Sequence, residues 1–346
     1  MHIGLTYDLR EDYLARGWSE QAVAEFDRAD TVDAIAGVLS AQGHTTDRIG
    51  GVLDLTERLA RGIQGIRGDR WELVFNIAES FGGVGREALV PALLDAHAIP
   101  YTFGDPLACC VTLDKPTAKR LLRDAGLPTP DFAVVEREAD AARVSLGWPL
   151  FCKPAREGSS KGVAEDSVSR TPDELRHACA RRLAEFAQPV LVERLLPGRE
   201  VTVPLLGPTD EPEVIGVLEV SLRDPGAGCG AGRGAVYSYE VKERCEELVN
   251  YSLARDEFAR ECAALARRAY RVLGCRDAGR VDLRADEHGR PSVIEVNALP
   301  GMHPSHSDLP ITATLAGMDY ATVIARIVDS ARQRISVTPP SHAMGR

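Results

Sequence analysis

The chain has 346 residues, 44% of them hydrophobic and 27% charged, with a net charge of −10. That length suits two or three packed units of roughly 100 to 200 residues each. The charge argues against a nucleic-acid backbone as partner, and no apolar run reaches the roughly 18 residues of a membrane span. The start, Met1-His2-Ile3-Gly4-Leu5, has neither the basic region nor the long apolar stretch of a signal peptide, so the expected location is cytoplasmic. The eight cysteines are scattered, with no C-x-x-C spacing, and read as reduced, mostly buried thiols.

From residue 1 to about 114, short β-rich runs alternate with helical stretches. A strand at 3–7, a helix at 31–42 and a strand at 73–77 predict an α/β layer with a parallel sheet. Leu89, Leu93 and Leu94 set a helix over 86–97; then 99–102 turns extended, and Gly104-Asp105-Pro106 closes this N-terminal unit, 1–112. A second unit, 113–195, opens with Asp114 capping a helix to about 125 and Pro116 in its first turn, followed by strands at 149–153 and 190–195. The stretch 224–234 has glycine at every second position from Gly226 and reads as a mobile loop; its likeness to a dinucleotide fingerprint lacks the strand-to-helix context. A third unit, 196–335, holds a helix at 256–273, a hairpin over 280–297 and an amphipathic helix at 320–335, and 336–346 is a flexible tail.

The hairpin concentrates the chemistry. Alternation places Arg280, Asp282 and Arg284 on one face of its first strand, and Glu295 and Asn297 on one face of its second. If the faces coincide, two carboxylates and an amide meet beside a guanidinium, an oxygen-donor set that suits Mg²⁺ with phosphate. The same pattern also fits a solvated face tied by cross-strand salt bridges. The loop that follows, 298–310, is rich in Pro, Ser and His, and its N–H groups and hydroxyls can bind a substrate carboxylate or a developing oxyanion. His303 and His306 lack a third nitrogen or sulfur ligand for zinc.

Upstream, Lys153 ends a strand before Glu157-Gly158-Ser159-Ser160-Lys161-Gly162, a small-residue loop whose N–H groups can approach phosphate. The residue order is not that of a Walker A loop, and an ordinary hairpin turn has the same composition. Lys115 and Lys242 are further cations, and Glu193 and Glu200 flank the turn 195–198, where a carboxylate can accept from an adenine amine or ribose hydroxyls. Taken singly, each is also an ordinary solvated residue.

Taken in order, these segments resemble the D-alanine:D-alanine ligase family of ATP-grasp enzymes, from about Asn76 to the last helix. The likeness rests on Leu113-Asp114-Lys115, Lys153-Pro154 with Arg156-Glu157-Gly158-Ser159-Ser160, Glu193-Arg194-Leu195-Leu196 and Tyr239-Glu240-Val241-Lys242. It continues through Gly279-Arg280-Val281-Asp282 and Glu295-Val296-Asn297 with Pro300-Gly301-Met302. The resemblance implies a fold that is α/β and α+β, an ATP-grasp core behind an N-terminal parallel α/β domain. It also implies ATP and Mg²⁺, two ions with Mn²⁺ as a substitute. Lys115, Lys153 and Lys242 would hold the phosphates, with Glu157, Gly158, Ser159 and Ser160 covering them. Glu193, Arg194, Leu195, Leu196 and Glu200 would take adenine and ribose, and Asp282, Glu295 and Asn297 the metal. Arg280 and the Gly301 N–H would stabilise a tetrahedral intermediate, with Lys242 and Ser159 also catalytic, while Glu87, Ser305, Ser307 and Asp308 would meet substrate.

The implied reaction joins a carboxylate to an amine through an acyl phosphate, releasing ADP and phosphate and giving a dipeptide. Its partners are small amino acids, without nucleic acid or membrane, and a homodimer is expected. Four departures concern the substrate. The family's early Gly-Gly-x-Ser-x-Glu, whose acid meets the first amino group, is replaced by Gly4-Leu5-Thr6-Tyr7-Asp8-Leu9-Arg10-Glu11. Phe81 stands at the histidine of its His-Gly-x-x-Gly-Glu-Asp-Gly motif, with Arg86-Glu87 for the acids. Glu243 replaces the tyrosine after Lys242, and the 303–306 loop is one residue longer. A specialised dipeptide or amide ligase with a different amino acid or a longer carboxylate is therefore the alternative. A nucleotide-binding regulator without turnover is a third reading, against which the intact Arg280, Asp282, Glu295 and Asn297 count.

Overall fold

The computed structural model describes residues 1–66, 68–222 and 249–337. In the N-terminal part, β1 (His2–Thr6) leads through α1 (Arg10–Ala15) and α2 (Ala29–Ala41) to β2 (Thr45–Gly50), then through α3 (Val52–Ala60) to β3 (Leu73–Asn76). The sheet order is β2-β1-β3 and both pairings are parallel, as helical crossovers demand. Ile3, Leu5, Leu73 and Phe75 are wholly buried in a core that also takes Ile35 and Leu39 of α2.

After α4 (Leu89–Ala96) comes a helix that the sequence reading did not assign. Gly104-Asp105-Pro106 leads into α5 (Pro106–Leu113), because the Asp105 carboxylate accepts from the Ala108 N–H at 2.9 Å and Pro106 occupies the first turn. Ala108, Cys109, Thr112 and Leu113 are buried and no charged residue lies in the helix, so it shows little polar periodicity to read. Next, α6 (Lys115–Asp124) is capped by Asp114, which accepts from Thr117 N–H at 3.0 Å. Its Ala118 and Leu122 join Ala108 against the large sheet described below.

The strands β4 (Phe132–Val135), β5 (Leu150–Pro154) and β6 (Val168–Ser169), with α7 (Pro172–Phe186) and β7 (Val190–Arg194), build an antiparallel sheet in the order β4-β7-β5-β6. Leu175, Ala178 and Cys179 of α7 pack on Leu150, Cys152, Val190 and Val192 beneath it.

The largest sheet runs β10-β9-β8-β11-β12, with β8 (Glu200–Gly207), β9 (Leu218–Leu222), β10 (Val249–Leu253), β11 (Asp277–Ala285) and β12 (Pro291–Asn297); a short strand, Glu213–Val214, also pairs with β8. Its apolar face is covered by α8 (Glu257–Val272), through Cys262, Ala266, Ala269 and Tyr270. The chain then passes through α9 (Asp308–Leu315) into α10 (Tyr320–Val337), whose Val323, Ile324, Ile327 and Val328 return to the N-terminal core. No single described helix is long and apolar enough to cross a membrane. The glycine-rich stretch 224–234 and tail residues 338–346 lie outside the described residues, and the six described cysteines are free thiols.

Candidate active site

The hairpin β11–β12 brings the expected side chains together. Arg280 pairs with Asn297 and Asp282 with Glu295, and a register shift then leaves Ile294 as an extra residue before Leu283 meets Val293. This bulge returns Val293 to the core, where Val296 also lies, while Glu295 and Asn297 stay on the face that carries Arg280 and Asp282. Arg280 donates from Nη2 to Asp282 Oδ2 at 3.0 Å, and its Nη1 lies 3.2 Å from Asp308 Oδ2. Asp282 also accepts from Thr202 Oγ1 at 2.8 Å and from Asn297 Nδ2 at 3.4 Å. Glu295 faces Lys115 Nζ at 3.1 Å. Burial alone would raise the Glu295 carboxyl, but Lys115, Lys153 and Arg280 outweigh it and hold it down at about 2.

A cavity of about 160 Å³ opens between the two antiparallel sheets, floored by Lys153 and Glu193 and roofed by residues 157–161. Glu193 takes Lys153 Nζ at 3.2 Å and Lys119 Nζ at 2.5 Å. Burial would depress Lys153, yet Glu193 and Glu295 hold its ammonium above the ordinary lysine range. Phe151, Val163, Leu195, Val220 and Ile294 give this cavity an apolar lining suited to a flat heterocycle. Sequence reasoning missed Lys119, although it lies one helical turn after Lys115, on the face that buries Ala118 and Leu122. It missed Thr202 as well.

In the roof, Ser159 and Ser160 both adopt left-handed backbone, φ 45° and 56°, a conformation that non-glycine residues hold only when their surroundings enforce it. A side chain at Gly158 would strike Glu25 Oε1, and the Gly158 N–H donates to that same oxygen. Glu25 also receives Arg86 Nη2 at 2.9 Å and Lys161 Nζ at 3.3 Å.

A second cavity, about 230 Å³, lies against the first. Lys115, Gly158, Ser159, Arg280, Glu295 and Asp308 line both, so the expected phosphate, metal and catalytic positions meet at one junction. Glu87, Asn297, Gly301 and Ser307 face the second cavity, and Glu157, Ser160, Glu200 and Asp282 the first.

Some expected positions are not brought in. The Arg194 side chain turns to Glu287 at 2.5 Å, because the next residues bend away at the end of β7. Leu196 is buried and lines neither cavity. Ser305 is exposed outside the second cavity, its N–H held by His303 Nδ1 at 3.2 Å. His303 Nε2 meets Asp30 at 3.3 Å, so both ring nitrogens have neighbours within the chain. Lys242 and the segment 239–242 lie outside the described residues.

The family model described as D-ala D-ala ligase C-terminus matches residues 121–329. An uncharacterized protein, y4sG, from Sinorhizobium fredii is 34% identical over 270 residues, covering 76% of this chain and 75% of that protein. A D-alanine–D-alanine ligase from Bordetella petrii is 35% identical over 258 residues, 73% of this chain and 74% of that enzyme. The chain belongs to the D-alanine:D-alanine ligase family. As a member it is an ATP-dependent ligase that forms a carbon–nitrogen bond. Solved structures share the fold: the D-alanine–D-alanine ligase of Bacillus anthracis complexed with ATP superposes with a TM-score of 0.70 at 20% identity, covering 97% of this chain and 99% of that one. The VanG D-Ala:D-Ser ligase of Enterococcus faecalis gives 0.71 at 20% identity, over 95% and 99%. The expected ATP-grasp architecture is thus present.

The family implies ATP and Mg²⁺, and the donor set fits both. Asp282 and Glu295 are directly opposed across two strands with the Asn297 amide beside them, an oxygen-only set for a hard cation. Lys115 and Lys153, which now neutralise Glu295 and Glu193, suit phosphate oxygens equally well.

Proposed function

We propose that this ligase activates the carboxylate of one small amino acid with ATP and joins it to the amine of a second, the D-alanine:D-alanine type of dipeptide synthesis. The observation that supports this most is the junction of the two cavities, where the same six side chains and backbone groups face both.

In this reading the donor carboxylate oxygen takes the terminal phosphoryl group, ADP leaves, and the resulting acyl phosphate loses phosphate to the attacking amine. Lys115 and Lys153 offset phosphate charge, and the backbone of Gly158, Ser159 and Ser160 covers it from above. Glu193, Leu195 and Glu200 bind the adenine and ribose, with Lys119 holding Glu193 in place. Asp282, Glu295 and Asn297 would hold magnesium, which would supply positive charge for the transferring phosphoryl oxygens. Arg280, steadied between Asp282 and Asp308, faces the developing oxyanion together with the Gly301 N–H. A Cβ at Gly301 would crowd Ser307 Oγ, so any side chain there would shift both groups.

Paired D-alanine is the simplest substrate pair. The second reading, a ligase for a different amino acid, is favoured by a specific feature of the larger cavity: Phe81 is turned into an aromatic cluster with Tyr13 and Trp18, while unpaired carboxylates face the cavity instead. Coupled measurement of ADP release across D- and L-amino acids tests the reaction. Glu295→Gln is expected to lower turnover by at least about 100-fold at temperatures where it remains folded, with some loss of thermal stability because Lys115 loses its counter-charge. Retained turnover in that variant would remove Glu295 from the metal site, and ADP release with no amino acid at all would remove the ligase reading.

A further inference from the structure

The larger cavity has one wall from the hairpin and its following loop, with Arg280, Gly301, Ser307 and Asp308, and another from the N-terminal part, with Asp27, Glu79 and Glu87. Among the described residues none of these last three carboxylates has a hydrogen-bond or ion-pair partner, although each is partly buried and faces the cavity. The cations around them have other partners. Arg10 donates to the Ala24 carbonyl, Arg86 is bound by Glu25 and the Arg156 carbonyl, Lys115 by Glu295 and the Glu157 carbonyl, Arg28 by Asp30, and Arg280 by Asp282 and Asp308.

Carboxylates with no ion-pair partner in such a setting are costly to ionise: Arg10 acts on Asp27, Arg86 on Glu79 and Glu87, and Lys115 on Glu87, yet burial and neighbouring acids outweigh them. Burial, reinforced by Asp8 and opposed by Arg10, pushes Asp27 up to about 8. Burial pushes Glu87 up to about 7, and burial with Glu87 and Glu25 raises Glu79. A ligand that brings positive charge would relieve all three. A metal ion is the poorer occupant, because no three His, Cys, Asp or Glu side chains among the described residues converge closely enough to hold one. Organic ammonium groups need no such convergence, since each can donate to a separate carboxylate.

Joining two simple amino acids asks for one carboxylate to face the donor ammonium and one to take the proton that the acceptor ammonium must lose before it attacks. Three unpartnered carboxylates exceed that requirement. We propose that this cavity takes an amino acid with a side-chain ammonium as well as its α-amino group, and that Glu79 selects it. The inference rests on the ligase reading and narrows its substrate.

Initial rates of ADP release would be compared for alanine, 2,3-diaminopropionate, 2,4-diaminobutyrate, ornithine and lysine, in both hands, with wild type and with Glu79→Gln. The expected result is a kcat/KM for at least one diamino acid about tenfold or more above alanine of the same hand, and a drop of that ratio toward unity in Glu79→Gln, mainly through KM. Glu79→Gln removes an unpaired enclosed charge, so its melting temperature should not fall, which separates loss of selectivity from misfolding. Equal or better turnover of alanine, or a ratio that Glu79→Gln leaves unchanged, would overturn the inference and leave the ligase reading intact. If no amine elicits ADP release, the ligase reading fails, and calorimetric titration of the same diamino acids decides the cavity's preference alone. Binding that weakens in Glu79→Gln supports it; absence of binding ends it.

Discussion

Asp27 and Glu87 hold their protons far above the usual carboxylate range, and the sign of the resulting pH dependence follows from which state binds the proton. Burial raises both, to about 8 and about 7, so between roughly pH 4 and these values the folded chain keeps protons that the unfolded chain has released. Their contribution to stability is therefore present at low pH and is lost as pH rises toward 8. Burial also depresses His44 and His303, which pull the other way, so the difference between wild type and Asp27→Asn isolates the carboxylate. Asp27→Asn is expected to match wild type near pH 4 and to be the more stable chain at pH 8, as read by melting temperature across that range. A variant less stable than wild type at pH 8 would mean that Asp27 has a counter-charge after all. At this scale the sequence was legible only where residue type and periodicity agree. Arg280, Asp282, Glu295 and Asn297 alternate on two adjacent strands and declare themselves. Asp27 and Glu79 gain their character from enclosure by distant segments, and nothing in their neighbours along the chain marks it.

Among elements, the roof over the smaller cavity depends on a segment that sequence reading left unassigned. Glu25 reaches residues 158 and 161 across more than 130 positions of sequence, accepting from the Gly158 N–H, Lys161 and Arg86. Tyr13, Trp18 and Phe81 pack edge-on against one another in that segment's surroundings, with Phe26 tilted against Tyr13, and fix its course. With that catch removed, Ser159 and Ser160 would keep their left-handed backbone with less support. Glu25→Ala is expected to speed amide exchange in residues 157–162 and to raise KM for ATP by about tenfold, whereas Glu25→Gln, which still accepts from Gly158 N–H, should lie between it and wild type. Unchanged exchange in Glu25→Ala would show that the roof stands without it. The hairpin was readable from alternation and the polar turn 286–289, in which Asp286 accepts from His288 and Arg290 N–H groups. The Ile294 bulge was not, because the one-residue slip leaves no mark in composition. The helix α5 escaped for the opposite reason, since an element buried on most sides has no polar stripe to give its period.

The whole molecule is tied together at Asp277, a fully buried carboxylate at the start of β11. It accepts Ser330 Oγ at 2.9 Å and Arg334 Nη1 and Nη2 at 2.7 and 3.1 Å, all from α10, and the Phe103 N–H at 2.9 Å, from the segment that leaves the N-terminal sheet. Arg334 also donates to the Tyr101 carbonyl at 2.7 Å, and Arg276 to the Phe103 carbonyl at 2.6 Å. Three stretches far apart in sequence thus meet on one side chain, which sits in left-handed backbone, φ 63°, a conformation that Asp and Asn tolerate better than most residues. Asp277→Ala removes two charge-assisted bonds to Arg334 and strands the Phe103 N–H, in a conformation alanine disfavours, so a loss of roughly 3 to 5 kcal/mol is expected from urea unfolding. Asp277→Asn keeps an acceptor and the backbone preference and should lose less. Because the carboxylate lines neither cavity, both variants should keep the wild-type KM for ATP at temperatures where they remain folded. A raised KM there would mean that this junction also sets the spacing between the N-terminal wall and the hairpin, whose opposed faces form the larger cavity.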